Sequence, residues 1–142
     1  MNLFYAIWAD AIHYERKKNG GKNHWKVFTF AQMSLLLSWN LVTFYMTIKN
    51  LTGVDIAPNV FLLFIHNKLV GNILWAVIYL FIPALTINYF FVFYKRRYRT
   101  IIRKYKFRNG KILLIYFIAT VILFLGFALL RDYLLKIGPF SV

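Results

Sequence analysis

In 142 residues this chain carries 61% hydrophobic and 20% aromatic residues but only 15% charged ones, with a mean hydropathy of +0.58. A soluble domain of this size carries about a quarter charged residues, so water is the wrong solvent for most of the chain. Eighteen Lys and Arg against four acids (Asp10, Glu15, Asp55, Asp132) give +14, and the lack of cysteine excludes disulfides, thiolate metal ligands and a Cys nucleophile.

At the N-terminus no basic segment precedes the apolar residues and Asp10 interrupts them, so a cleaved signal peptide is not expected. Residues 2–14 are too short to span a bilayer. At 100° per residue Leu3, Phe4, Ile7, Trp8, Ala11 and Tyr14 share one side while Asn2, Asp10 and His13 share the other, which predicts an amphipathic helix lying in the membrane interface. A basic loop with Asn19-Gly20-Gly21 at its middle then turns the chain, and residues 1–26 as a whole form an interfacial helix and basic loop.

Three apolar runs free of Lys, Arg, Asp and Glu follow, at 27–48, 69–94 and 112–130. They measure roughly 33, 39 and 28 Å as helices, against a hydrocarbon core of about 30 Å. They lack the alternation of barrel strands, and an open backbone cannot be satisfied in lipid. The predicted fold is therefore an all-α integral membrane protein of three transmembrane helices forming a single domain, 1–142. Gly53 and Pro58 mark a turn after the first run, and 59–68 reads either as a short external interfacial helix or as the top of a long helix continuing to 94.

Lys and Arg number five before the first run, two after it (Lys49, Lys68), nine at 95–111 and two after the third run (Arg131, Lys136). Such an alternation expects the N-terminus in the cytoplasm and the C-terminus outside. The lean toward Lys, Asn, Ile, Phe and Tyr points to a bacterial inner membrane, with a mitochondrial inner membrane as the alternative. The sequon Asn50-Leu51-Thr52 falls on the expected outer side.

Within the first run Thr29, Gln32, Asn40, Thr43 and Thr47 project within about 60° of one direction. A lipid-facing amide would go unpaired, so this stripe predicts a helix-packing seam or the wall of a polar path. In the second run Asn72, Ala76, Tyr79, Pro83 and Thr86 share a face that could pair with the first, and Pro83 should free the carbonyl of Tyr79. The third run offers a weaker seam of Tyr116, Ala119, Thr120 and Gly126.

The segment 95–111 reads as a basic cytoplasmic extension of the second helix. Tyr94, Tyr98, Ile101, Ile102 and Tyr105 would line one side of it, with Lys95, Arg96, Arg97, Arg99, Arg103, Lys104, Lys106 and Arg108 around the rest. That pattern suits anionic lipid or an acidic partner; nucleic acid is not expected at a membrane surface. Asp10, His13 and Glu15, with His24 nearby, are the only acid–base grouping, and no catalytic or phosphate-loop motif accompanies them. No catalytic site, metal or cofactor is therefore expected. Three functional readings follow: a non-catalytic accessory or structural subunit of a larger membrane complex; a homo-oligomeric pore or membrane-disrupting effector; and a protein or enzyme acting on lipid head groups at the cytoplasmic face.

Overall fold

A computed structural model describes residues 2–18, 24–53, 65 and 67–137, with no strand among them. The helices are α1 (Leu3–Lys18), α2 (Trp25–Thr52), α3 (Lys68–Arg96), α4 (Tyr98–Lys104) and α5 (Lys111–Ile137). Two of them, α2 and α3, are long and apolar enough to cross a membrane, and they contain the predicted runs 27–48 and 69–94. Within α5 the apolar stretch Lys111–Phe127 is shorter than either.

α2 lies at the centre, with α3 and α5 both packed against it. It stops at Gly53, which adopts φ +69° and returns its N–H to the Lys49 carbonyl at 2.9 Å, a left-handed cap that a residue with a Cβ takes only at a cost. Residues 54–64 and 66, which hold most of the 59–68 stretch, lie outside the described residues. α3 begins afresh beyond them: Asn67 is extended (φ −85°, ψ 106°), and its side chain accepts from the N–H groups of Leu69 and Val70. One unbroken helix from 59 to 94 is therefore not formed.

α3 departs from α-helical winding in two places. Val77–Phe81 and Tyr89–Phe93 are π-helical, the first lying just before Pro83. Proline has no N–H to give, and its ring pushes away the carbonyl four residues back, so widening the preceding turn relieves the conflict. The extra residue in a π turn rotates everything after it by about 100° relative to an ideal wheel. The buried positions of α3 are accordingly Gly71, Leu80, Ala84, Asn88 and Val92.

Two expectations are corrected at the basic end. The second helix does not continue through 95–111. After Tyr94 (ψ 132°) the chain breaks, with Lys95 and Arg96 at φ 50° and 58°, and α4 is a separate seven-residue helix. Nor is α1 an interfacial helix with one wet face: seven consecutive residues, Ala6 to Ile12, are buried. α1 packs against α2, α4 and α5 together, and its side chains Ile7, Trp8, Ala9, Ala11 and Ile12 join Trp25, Met33, Leu36, Val92, Ile101 and Leu113 in one core.

That core is aromatic. Trp8 meets Phe93 edge-on at 5.7 Å, Phe93 meets Phe30 at 5.2 Å, and Tyr98 meets Trp25 at 5.6 Å, so four helices are tied at one end of the bundle. The predicted stripe on 94–105 survives the helix break in part. Ile101 is buried and Tyr98, Ile102 and Tyr105 half-buried against the core, while Tyr94 is exposed.

Candidate functional site

Asp10 is the best organised polar group in the molecule. Fully buried, it accepts from the N–H groups of Arg108 and Gly110 on Oδ1 (2.9 and 3.1 Å) and of Ile112 and Leu113 on Oδ2 (2.9 and 3.3 Å). These are the orphan donors at the start of α5, so a carboxylate from the first helix caps the last one, where the helix dipole also favours negative charge. Gly110 allows the approach: its φ is +76°, and a Cβ there would meet the Tyr14 ring at 3.0 Å.

The acid–base grouping foreseen around Asp10 is therefore not assembled. Both Asp10 oxygens are occupied, His13 Nε2 lies 3.5 Å from the Ile102 carbonyl oxygen with its ring beside Phe107, and Glu15 is buried on another part of α1. His24 sits exposed at the start of α2. Among the described residues no three His, Cys, Asp or Glu converge as metal ligands.

The polar stripe of α2 meets α5 through Asn40, whose Nδ2 donates to the Tyr116 hydroxyl at 2.7 Å and to Thr120 Oγ1 at 3.4 Å. Thr29, Thr43 and Thr47 turn inward on their own helix, donating to the carbonyls of Trp25, Trp39 and Thr43. Gln32 is exposed on a cavity of about 380 Å³ shared with Tyr14, Lys111 and Phe117. The stripe of α3 does not face α2: Asn72, Tyr79 and Thr86 are exposed, and Thr86 donates to Ile82. The α2–α3 contact is instead fastened by a pair that sequence reasoning missed, Asn88 donating to Ser34 at 3.0 Å in full burial. The π turns carry Asn88 inward, and an ideal wheel has no means of showing it.

The basic residues divide into three groups. Lys95, Arg96 and Arg97 surround the helix break, with Lys95 and Arg97 over the Tyr94 ring. Lys104, Lys106 and Arg108 line a cavity of about 510 Å³ with Asn2, Ala6, Tyr105 and Ile112. Arg99 and Arg103 open onto a cleft of about 390 Å³ whose other walls are Arg16, Trp25, Lys26, Tyr98 and Ile102.

In that cleft, cations from α1, α2 and α4 surround an aromatic floor. The Arg16 guanidinium stands 5.7 Å over the Trp25 ring, and the Lys26 ammonium lies 5.9 Å from both the Trp25 and the Tyr98 rings. A hydrogen bond from Arg99 holds the Tyr98 hydroxyl below the usual phenol range against the opposing effect of burial, helped by the positive charges of Lys26, Arg99 and Arg96. Arg16 and Lys26 were not singled out from the sequence; the available signal was Trp25 opening an apolar helix between basic residues. No family model matches the chain, and comparison with curated proteins and with solved structures finds no match.

Proposed function

We propose that this chain is a small, non-catalytic integral membrane protein serving as an accessory or structural subunit of a larger membrane assembly. In this reading α5 supplies a third span at about 112–130. The end that gathers α1, α4 and the first turns of α2 and α5 faces the cytoplasm of a bacterial inner membrane, where its cations hold anionic lipid.

The observation that carries the reading is the distribution of polar and apolar groups about the helices. Inside, Asn40, Tyr116, Thr120, Ser34 and Asn88 are spent on fastening helix to helix. Outside, large apolar side chains stand bare, among them Phe44 at 64%, Ile73 at 53% and Ile115 at 66% exposure. Only about a quarter of the most apolar stretch of α2 and of α3 is covered (28% and 22%). An apolar sheath of that extent is costly in water and is what lipid, or another membrane protein, would cover.

A pore lined by the α2 stripe would require Asn40 to leave α5 and Thr43 and Thr47 to release their own carbonyls, so the packing seam is the better use of these groups. Native mass determination on the complex extracted from its own membranes in mild detergent tests the proposal. A stoichiometric larger membrane protein is expected. Release of the chain from membranes by alkaline carbonate would refute membrane integration, and a monomer without any companion would refute the subunit role.

A further inference from the structure

We propose that the cleft framed by Arg16, Lys26, Arg99 and Arg103 binds a single phosphate oxyanion, carried by an anionic lipid head group or present as free phosphate. The inference deepens the lipid-holding role above and rests on it for the location of the cleft at the membrane surface.

Four cations from three helices converge here, and no lining residue is acidic. The chain has no acid between Glu15 and Asp55 or between Asp55 and Asp132, so both basic segments lack any local counter-charge. Like charges would spread apart on flexible loops. These are anchored instead: Trp25 is only 5% exposed, Ile101 only 6%, and both belong to the core that joins α1, α2 and α4. The fold thus sets the repulsion in place, and an anion entering the cleft would relieve it.

Guanidinium groups match the paired oxygens of a phosphate, and three of the four cations are arginines. The depressed Tyr98 hydroxyl independently reports positive potential at the floor. Trp25 and Tyr98 are also the residue types that sit at head-group level, and the apolar run of α2 starts two residues on, at Val27.

The test is native mass spectrometry of the purified full chain in non-ionic detergent, titrated separately with short-chain phosphatidic acid, phosphatidylcholine and inorganic phosphate. Three proteins are compared: wild type; Arg99→Gln/Arg103→Gln in the cleft; and Lys17→Gln/Lys95→Gln, which removes the same charge outside it. One phosphatidic acid per chain is expected on wild type and the outside variant, with binding roughly tenfold weaker in the cleft variant, as for a lost charge-assisted contact. Inorganic phosphate that competes at millimolar concentration would assign the cleft to free phosphate; failure to compete would assign it to lipid, and either result supports the site. Arg16→Gln/Lys26→Gln repeats the comparison from the other wall should the first variant lose its thermal transition.

Equal weakening in the cleft and outside variants overturns the site but leaves diffuse lipid holding intact. Retention of phosphatidylcholine equal to that of phosphatidic acid overturns it as well. No anionic lipid retained by any of the proteins removes both readings.

Discussion

Asp10 ties the two ends of the chain together, and the energetics follow from its four donors. Removing the carboxylate leaves the N–H groups of Arg108, Gly110, Ile112 and Leu113 without their acceptor in a part-buried site. Asp10→Ala should therefore cost about 2 to 4 kcal/mol, read as a lower thermal midpoint in detergent. Asp10→Asn should fall between the two, because one amide oxygen replaces two carboxylate oxygens; an alanine variant as stable as wild type would deny the cap. Gly110 offers a matched case. Gly110→Ala combines a positive φ with the Tyr14 clash and should cost about 1 to 2 kcal/mol, whereas Gly126→Ala, with open space around it in α5, should be neutral or stabilising by up to about 1 kcal/mol. The sequence alone marks Asp10 only as a polar position on a short helix. Its partners lie about a hundred residues away, and no local pattern announces a cap lent from another element.

Helices were the most legible level of this fold, because long uncharged runs leave the backbone few other choices. The runs at 27–48 and 69–94 sit inside α2 and α3. What the runs conceal is register. Two π segments turn Asn88 toward Ser34 and leave Asn72, Tyr79 and Thr86 on the outside, so a wheel with a fixed 100° step misassigns the inner face of α3. The buried pair and the self-bonded threonines should respond differently to mutation. Asn88→Leu should cost on the order of 1 kcal/mol and show coupling with Ser34→Ala in a double-mutant cycle. Thr43→Val should be within about 0.5 kcal/mol of wild type, since its hydroxyl bonds only the Trp39 carbonyl of its own helix. At the break after α3, Lys95 and Arg96 occupy left-handed backbone. Lys95→Gly should be tolerated or slightly stabilising, while Lys95→Val, β-branched at φ 50°, should lower the thermal midpoint by an amount equivalent to about 1 to 2 kcal/mol. The same break explains why a basic segment that scans as a helical extension folds back instead and delivers Arg99 and Arg103 to Arg16 and Lys26.

At the level of the whole molecule, the contacts between distant segments constrain which parts share a side. Asp10 reaches the N-terminus of α5, and Trp25 touches Tyr98, so α1, the start of α2, α4 and the start of α5 belong to one end. α2 then runs 28 residues, about 42 Å, before reaching Lys49 and Gly53 near its far end. If the apolar sheath lies in a bilayer, Lys18 and Lys106 must be on one side and Asn50 on the other. The absence of native cysteine makes this directly measurable. Single substitutions Lys18→Cys, Lys106→Cys and Asn50→Cys, probed with a membrane-impermeant maleimide on intact cells, should leave the first two unlabelled and the third labelled, with the pattern reversing in inside-out vesicles. A cysteine placed at Ser141 extends the test to α5: labelling from outside, like Asn50, would make α5 a third crossing, whereas labelling with Lys106 would leave two. The count matters for the cleft. With both basic segments on the leaflet that bears anionic lipid, Arg16, Lys26, Arg99 and Arg103 meet phosphate at high local concentration; on the opposite face they would meet few anionic lipids, and the site would have to draw on free phosphate.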